Sequence, residues 1–377
     1  MRADADADIA AVAEEHPFAA YVRPLGRGPG RSRALTREEA REALRMVLRG
    51  EADPHQVGAF LMLLRYRGED PDEVTGLVEA AREAVGAGPV PTGSAPVDLD
   101  WPSYGSGRTR GAPWFLLAAL ALARAGGYRV LMHGSNEFSR GTPVPEAMAA
   151  LGLRPAVDRA DASRHLDADG FAYLPLAAMN PGLDRLLGLR SLLGLRSPVN
   201  TVARLLDPFD ARAGVDGVFH PPYIALHLGT AERLGRPRLL VVKGGGGEAE
   251  RNAAKPMAAH LFDRRAGKAE LDLPATSAAR AGGADLLRVW RGEEDAEGET
   301  AVVKATIALG LLALGAADTG ARADAQAAEI WSGRHHPRPA APRGDGAAAA
   351  SVARREAPQD RSKGGRPSEA PRPARIA

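Results

Sequence analysis

The chain has 377 residues, of which 45% are hydrophobic and 25% charged, and it contains no cysteine. That length and apolar content can build one large domain or two ordinary ones. Without cysteine, the chain cannot form disulfides, thiolate nucleophiles or cysteine-ligated metal sites. The first residues, MRADADADIAAVAEEH, are too acidic for a secretory signal, and the longest apolar run, residues 114–123, is too short to cross a bilayer. We therefore expect a soluble cytoplasmic protein with no membrane partner.

Positive charge is concentrated towards the carboxyl end. Residues 334–377 carry ten Lys/Arg and four Asp/Glu, a net of +6, whereas residues 1–333 carry a net of −4. The segment also holds seven prolines and almost no large apolar side chain, so burial cannot offset the entropy cost of ordering it. We expect a disordered basic tail over residues 334–377, and any polyanion affinity should lie in this tail or in a local basic patch.

Three capped helices are predicted after a loosely structured N-terminal extension, residues 1–34, in which a short helix before Pro17 is one option. Each of the three helices opens with a capping side chain and with a reciprocal partner or a first-turn proline. Apolar residues at helical spacing follow, as between Ala40 and Leu48. These features predict a small helical domain over residues 35–88. The three capping residues are Thr36, Asp53 and Asp70.

The pattern changes after a linker over residues 86–96, which is rich in glycine and proline. From there, short hydrophobic β-like runs alternate with helical segments. This alternation is typical of an α/β fold with a mostly parallel sheet flanked by helices. We therefore predict an α/β domain over residues 97–333. Its predicted strands lie at 97–100, 129–134, 171–175 and 238–242, and its helices at 113–125, 145–151, 182–188 and 300–315.

Four consecutive glycines occur in the stretch LLVVKGGGGEAERN, residues 239–252. A buried strand that opens into a glycine loop is typical of sites where backbone N–H groups approach an anion. Glu248 and Glu250 offer carboxylates, which suit a hard cation such as magnesium. Lys243 and Arg251 bracket the loop with positive charge, which favours a phosphate instead.

The segment LTREEAREALRMVLRGEADPHQVGAFLMLLRYRGEDPDEVTGLVEAAREAV resembles the N-terminal domain of the anthranilate phosphoribosyltransferase/nucleoside phosphorylase family, glycosyl transferase family 3. The resemblance continues in order through VLMHGSNEFSRGTPVPEAMAALG, NPGLDRLLGLRSLLGLRSPVNTVARLLDP and VVKGGGGEAERN, over residues 35–332. The stretch DLDWPSYGSGRTRGAPWFLLAALALA is most similar to the YbiB-like branch, whose members bind nucleic acid. The resemblance implies a phosphoribosyltransferase-like fold, in which a helical domain precedes a phosphate-binding α/β domain, and a homodimer formed through the N-terminal helices.

Three departures from the family pattern affect the site where the transferases bind their phosphoribosyl donor. Residues 101–105, WPSYG, stand where the family has a Gly-Thr-Gly-Gly-Asp loop for the pyrophosphate. Met132 replaces the lysine of the Lys-His-Gly-Asn motif. Ala249 stands at the aspartate of the Asp-Glu pair that holds magnesium, which leaves Glu250 as the only remnant of that pair. We expect no metal and no cofactor, and magnesium only if the chain is an active transferase.

Basic and polar side chains remain as candidate contacts to phosphate or nucleic acid. His133 matches the family's histidine and could touch a ligand or bond to local backbone. Arg190 aligns with the arginine that faces anthranilate's carboxylate, and its alternative is a surface position at a helix end. Trp101 and Tyr104 are candidate stacking surfaces, with core packing as the alternative. Arg196 adds positive charge to the same predicted cleft. The phosphate or nucleic-acid candidates are Arg108, Arg110, His133, Asn136, Ser139, Arg140, Arg190, Lys243, Arg251 and Asn252.

These features lead to a first functional hypothesis and to alternatives. The first is a homodimer with a phosphoribosyltransferase fold that binds single-stranded DNA or RNA, with little sequence specificity, through basic clefts between its domains and without the family's transferase activity. The main alternative is an active glycosyl or phosphoribosyl transferase with an unidentified acceptor. A third is a sensor of phosphate or of a nucleotide, and the basic tail alone could account for all polyanion binding. No residue is assigned a catalytic role.

Overall fold

The computed structural model describes residues 15–90, 94–105, 111–135 and 141–336. At its N-terminal end lie the helices α1 (Ala19–Gly26), α2 (Arg37–Arg49), α3 (Pro54–Arg67) and α4 (Pro71–Ala84). The predicted caps Thr36, Asp53 and Asp70 are all confirmed. Each side chain accepts a hydrogen bond from the first turn of its helix, and the reciprocal contact from the third residue is present in all three cases.

Helix α1 lies inside the stretch that we expected to be loosely structured. Phe18, directly before this helix, is fully buried, and its ring meets that of Phe60 on α3 edge to face at 5.4 Å. Residues 15 and 16, just before Pro17, are not helical, and residues 1–14 lie outside the described part of the chain. The expected extension therefore contributes a helix that packs on the helical domain.

Helices α2 and α4 approach each other closely at Gly76. A Cβ atom on this residue would lie 2.0 Å from the carbonyl oxygen of Arg37. At the surface, ion pairs join Arg37 to Glu79 and Arg41 to Glu83 across the same two helices. Because the contact at Gly76 is with backbone, no flexible side chain can move aside for a larger residue.

Seven strands form one sheet in the larger part of the chain: β1 (Leu99–Ser103), β2 (Val130–Gly134), β3 (Phe171–Pro175), β4 (Ala213–Val218), β5 (Arg238–Lys243), β6 (Met257–Asp263) and β7 (Gly267–Leu273). Their order across the sheet is β3-β2-β1-β4-β5-β6-β7. Strands β1 to β5 run parallel, whereas β6 and β7 add an antiparallel hairpin at one edge. The predicted mostly parallel sheet is confirmed.

Helices cover both faces of this sheet: α5 (Trp114–Arg124), α6 (Val144–Ala150), α7 (Arg159–Asp169), α8 (Leu176–Met179), α9 (Pro181–Gly188), α10 (Arg190–Leu193), α11 (Val199–Arg204), α12 (Pro222–Arg233), α13 (Leu286–Arg291), α14 (Glu297–Leu314) and α15 (Gly320–Ser332). Helix α14 packs between α5 and the strands β4 and β5, which explains its almost continuously apolar sequence. On the opposite face, Leu239 and Val241 of β5 share a core with α4, α11 and α12.

Strand β4 and the hairpin of β6 and β7 were not predicted from the sequence. Strand β4 reads AGVDGV, so two glycines and the buried Asp216 interrupt the apolar run that would have marked it. Gly217 packs against the turn after β5, because a Cβ atom there would lie 2.1 Å from the carbonyl carbon of Glu248. Strand β7 is largely exposed, with only Leu273 buried, and therefore lacks the hydrophobic run of a central strand.

Within the described residues, no helix is long and apolar enough to cross a bilayer. This agrees with the short apolar runs of the sequence.

Replacing Gly76 by alanine is expected to lower the free energy of unfolding by about 1–3 kcal/mol, since the new methyl group must displace backbone of α2. Gly58 is the matched control, because it lies inside α3 with no atom within 4 Å of its Cβ position. Gly58→Ala should be neutral or stabilise by about 0.5–1 kcal/mol. Urea unfolding of both variants checks this, and equal stability of the two proteins would contradict the close approach of α2 and α4.

Candidate functional site

The carboxyl ends of the parallel strands meet at one edge of the sheet, where β1 lies between β2 and β4. After β1 the chain builds outwards to β2 and β3 and then returns to place β4 on the other side of β1. In open α/β sheets, ligands bind in the crevice at such a reversal of strand order. The candidate site should therefore lie beyond the ends of β1, β4 and β5.

A buried arginine, Arg204 at the end of α11, joins these three strand ends. Its Nη2 donates to the carbonyl of Tyr104 after β1 at 2.9 Å and to that of Gly247 after β5 at 3.3 Å. Its Nε donates to the carbonyl of Gly217 in β4 at 3.1 Å, and its Nη1 donates to that of Asn200 at 2.9 Å. Burial lowers the pKa of Arg204, and nearby carboxylates oppose this shift. Arg204 thus organises the floor of the crevice.

The glycine run after β5 forms a tight turn, Gly245–Gly247, rather than an open loop. Gly246 has a φ angle of 68°, in the left-handed region that favours glycine. A Cβ atom on Gly244 would lie 1.5 Å from the carbonyl oxygen of Glu248. Together with the contact at Gly217 described above, these distances show that the turn itself and its packing require the glycines.

The two carboxylates after the turn contact protein groups. Glu248 is 2% exposed and accepts a hydrogen bond from the Ser103 hydroxyl at 3.3 Å. Its Oε1 would lie 2.2 Å from a Cβ atom on Gly105, so the carboxylate lies directly against the end of β1. Glu250 accepts a hydrogen bond from the backbone N–H of Phe115 at 3.0 Å, at the start of α5. This is a favourable place for a negative charge, because a helix N-terminus carries partial positive charge.

The basic frame that the sequence predicted around the glycine turn is only partly present. Arg251 is fully buried and its guanidinium donates to Asp324 of α15 at 2.7 Å and to the carbonyl of Pro274 at 2.6 Å. It is therefore an internal residue and not a phosphate contact at the surface of the loop. Asn252 is exposed, and its side-chain oxygen accepts the N–H of Ala254 at 3.0 Å in a local turn. Lys243 remains exposed at the end of β5.

The two candidate stacking residues belong to the interior. Trp101 is 0% exposed and Tyr104 is 1% exposed, so neither ring offers a face to a base. The Tyr104 hydroxyl lies 2.9 Å from Nδ1 of His133, and the two rings meet edge to face. The alternative of core packing is the one that the structure supports.

His133 is also fully buried, in a network of charged groups under the sheet edge. Its Nε2 lies 3.2 Å from Asp100, whose other carboxylate oxygen accepts from Arg236 at 3.1 Å. Arg236 also lies 3.3 Å from Asp207, and burial raises the pKa of Asp207 to about 6 against the opposing effect of Arg236. His133 thus contacts Tyr104 and Asp100 rather than local backbone or the surface of the crevice.

Five predicted site residues lie outside the described part of the chain, and their assignment stays a prediction. They are Arg108, Arg110, Asn136, Ser139 and Arg140.

A cleft lies between helix α3 of the helical domain and the segment that follows β4. The space that a water-sized group can occupy in it is about 50 Å³. We call it the arginine cleft. It is lined by Arg65, Arg196, Ser197, Asn200, Thr201, Arg204, Val218, Phe219, His220, Tyr223 and His227.

Several positively charged arginines lie close together in and around the arginine cleft. Burial together with the charges of Arg204, Arg190 and Arg65 lowers the pKa of Arg196 to about 10. Within the described residues, no carboxylate forms an ion pair with Arg196. Arg190, a predicted site residue, is half-buried at the start of α10 and contributes to this field without lining the cleft. Of the two predicted arginines, Arg196 lines the cleft and Arg190 does not.

Aromatic and hydroxyl groups complete the walls of the arginine cleft. The guanidinium of Arg65 donates to the Tyr223 hydroxyl, which in turn donates to Glu69 at 3.2 Å. Burial raises the pKa of Tyr223 to about 12, so the hydroxyl stays protonated at neutral pH. On the other wall, Arg196 lies over the ring of Phe219 at 5.4 Å, and Phe219 is 44% exposed.

Two family models match the chain. The helical bundle domain of a glycosyl transferase family matches residues 20–85, and the a/b domain of a glycosyl transferase family matches residues 116–332, more than half of the chain. The chain belongs to this glycosyl transferase family.

Relatives within the glycosyl transferase family agree with the resemblance seen in the sequence. Anthranilate phosphoribosyltransferase 2 of Streptomyces coelicolor is 33% identical over 238 residues, 63% of this chain and 69% of that protein. YbiB of Escherichia coli is 29% identical over 245 residues, 64% of this chain and 75% of that protein. The crystal structure of anthranilate phosphoribosyltransferase from Thermus thermophilus superposes with a TM-score of 0.67 at 25% identity, and covers 85% of this chain and 95% of that one. The predicted family and fold are confirmed.

The magnesium that the family resemblance implies does not fit the residues present. Ala249 is fully buried and offers no ligand, while one carboxylate oxygen of Glu250 accepts from the start of α5. Across the described ranges, no group of three or more His, Asp or Glu side chains is placed to hold a metal ion. Magnesium is usually held by one or two carboxylates together with waters and substrate phosphates, and Glu250 is the only carboxylate left of the family's pair.

Replacing Arg204 by lysine is expected to lower the free energy of unfolding by roughly 2–4 kcal/mol, because a single ammonium group cannot reach all four carbonyls and leaves buried acceptors unpaired. Arg288→Lys, at a position whose side chain is 57% exposed, should change stability by less than about 0.5 kcal/mol. Urea denaturation of both variants measures the difference. A loss at Arg204 no larger than at Arg288 would show that the four hydrogen bonds do not hold the strand ends together.

Proposed function

We propose that this glycosyl transferase-family protein transfers a pentosyl group between a phosphate-bearing donor and an acceptor bound in the arginine cleft. The observation that carries the proposal is the half-buried guanidinium of Arg196, which lies among like charges and forms no ion pair with a described carboxylate. The relatives support it, since those of Streptomyces coelicolor and Moorella thermoacetica are anthranilate phosphoribosyltransferases by name. Anthranilate is therefore the first acceptor to test, together with other acceptors of similar chemistry.

The charge of the cleft favours an anionic ligand. A half-buried guanidinium among like charges is destabilised in its protonated form, as the lowered pKa of Arg196 indicates. A phosphate or carboxylate would relieve this repulsion and accept charge-assisted hydrogen bonds from the planar fork of Arg196 or Arg65. Negative charge that develops on a departing phosphate oxygen would be stabilised by the same groups.

The residues present favour a transfer that arginines rather than magnesium support. Ala249 offers no ligand, and the Glu248 and Glu250 carboxylates accept hydrogen bonds from Ser103 and from the start of α5. In the arginine cleft, by contrast, Arg65 and Arg196 come from the two domains and line one space. Guanidinium groups can neutralise a phosphate without the geometry that a metal ion demands.

Activity is best tested with phosphoribosyl pyrophosphate and with ribose 1-phosphate, each offered with anthranilate, other aromatic amines and nucleobases, with magnesium or with a chelator. Acceptor-dependent release of pyrophosphate or phosphate is expected, and it should persist in the chelator. Arg196→Ala should lower kcat/KM by about 10–100-fold, as expected for loss of a charged hydrogen bond. Arg322→Ala, a control on α15 whose side chain is 64% exposed, should leave it unchanged. Absence of acceptor-dependent release in every combination would overturn the proposal.

A second candidate function, binding of single-stranded nucleic acid, is favoured by Phe219. This ring is 44% exposed, lies under the Arg196 guanidinium, and meets His220 edge to face at 4.7 Å. An exposed aromatic ring beside arginines is the arrangement on which unpaired bases stack. Phe219 is our candidate stacking residue in place of Trp101 and Tyr104, which are buried.

Fluorescence anisotropy with a labelled oligothymidylate tests this second function. Affinity should fall steeply between low and moderate salt, and Phe219→Ala should weaken binding by about 5–150-fold, the loss of one stacked base. A chain that ends at Gly333 should retain binding if the cleft is the site. Abolished binding in that shortened chain would assign the affinity to the basic tail, and unchanged binding by Phe219→Ala would remove the stacking role.

Both functions are proposed for a homodimer that forms through the N-terminal helices. Sedimentation equilibrium of the full chain measures this directly, and a monomer at micromolar concentration would contradict it.

A further inference from the structure

A buried carboxylate–histidine pair adjoins the arginine cleft, and neither the sequence nor the family pattern assigned it a role. Asp216 in the middle of β4 and His227 on α12 are 0% and 1% exposed. Asp216 Oδ2 lies 2.7 Å from His227 Nδ1. His227 is also one of the residues that line the cleft. The pair therefore links the interior of the sheet to the ligand space.

The geometry of the pair determines which nitrogen of His227 carries the proton. An ionised carboxylate only accepts hydrogen bonds, so the short contact to Asp216 requires a proton on Nδ1. In the neutral imidazole, the lone pair then lies on Nε2, at the other side of the ring. Within the described residues, Nε2 has no hydrogen-bond partner. A proton acceptor is thus left available beside the arginine cleft.

Asn200, which also lines the cleft, supplies the complementary group. It is 7% exposed, and its side-chain oxygen accepts the N–H of Ser197 at 3.2 Å, which fixes the orientation of the amide. Its Nδ2 has no partner among the described residues. A buried polar group without a partner costs about 1–3 kcal/mol, so the unpaired Nδ2 of Asn200 favours a hydrogen-bond acceptor in the cleft, beside the available Nε2 of His227.

We propose that His227 accepts the proton of the nucleophilic group of the acceptor, that Asp216 positions its imidazole, and that Asn200 donates a hydrogen bond to an oxygen of the same acceptor. The acceptor class is then a molecule with an N–H or O–H nucleophile next to a carbonyl or carboxylate oxygen. This inference rests on the transfer function proposed above and deepens it.

The step is balanced without any further reactant. The acceptor nitrogen or oxygen forms a bond to C1 of the pentose as the bond from C1 to the phosphate oxygen breaks. The departing phosphate takes the electron pair of the broken bond, and the arginines of the cleft stabilise its charge. The proton released by the acceptor passes to Nε2 of His227 and then to solvent.

The tautomer of His227 can be measured independently of activity by long-range ¹H–¹⁵N spectra of the full chain, with the resonance assigned through its loss in His227→Gln. The Nδ1–H tautomer is expected in the wild-type protein. Asp216→Ala should lower the population of the Nδ1–H tautomer, because the carboxylate that accepts this proton is removed. An Nε2–H tautomer in the wild-type protein would overturn the proposal, whatever the activity of the enzyme.

Turnover tests the proton transfer itself. With the donor and acceptor pair that gives activity, His227→Gln and Asp216→Asn should each lower kcat by about 100-fold or more, with little change in the KM for the donor. His260→Gln is the matched control, since His260 lies 3.3 Å from the carboxylate of Glu270 on the edge hairpin, away from the cleft. Its kcat should equal that of the wild-type protein.

The outcomes separate the two proposals. Turnover that survives His227→Gln overturns the role of this histidine while the transfer function stands. No turnover with any donor and acceptor overturns the transfer function and this step with it. If Asp216→Ala leaves the tautomer of His227 unchanged, the positioning role of Asp216 is overturned.

Discussion

The hydrogen bonds of a single buried guanidinium hold the functional edge of the sheet together. Arg204 reaches four backbone carbonyls from the ends of β1 and β4, the turn after β5 and its own helix α11. Strand ends carry carbonyls that no neighbouring strand satisfies, and buried carbonyls need a donor. Because this donor is charged and planar, it can bind the segment after β1, strand β4 and the turn after β5 at the same time. The end of β1, the middle strand β4 and the glycine turn are joined by it at the floor of the cleft.

Much of the fold follows from local sequence signals. The three caps and the hydrophobic strands β2, β3 and β5 depend on neighbouring residues, so pattern reasoning found them close to their observed bounds. Strand β4 was not predicted because its residues contact groups that are distant in sequence. Gly217 packs against the backbone of Glu248, and Asp216 pairs with His227. A strand that serves a site loses the apolar pattern by which strands are recognised. Helix α1 was not predicted because Phe18, the buried residue that fixes it, precedes the helix and packs on Phe60 of α3.

The site was predicted less well, and the reason is again distance along the chain. Arg251 looked like part of a basic loop, but its partner Asp324 lies 73 positions later. Trp101 and Tyr104 looked like stacking surfaces, yet the burial of a side chain is decided by the whole sheet. Arginines do gather between the two domains, and Arg196 was predicted among them. Arg65 and Arg204 were not, because the sequence does not show which helices face the cleft.

The two walls of the arginine cleft belong to different domains, with Arg65 on α3 and Arg196 after α10. Like charges on facing walls repel each other, and Arg65 is among the charges that lower the pKa of Arg196. An anion bound between the walls would attract both of them. A bound anion would therefore hold the two domains together, and the angle between the domains should differ between the free and the ligand-bound protein.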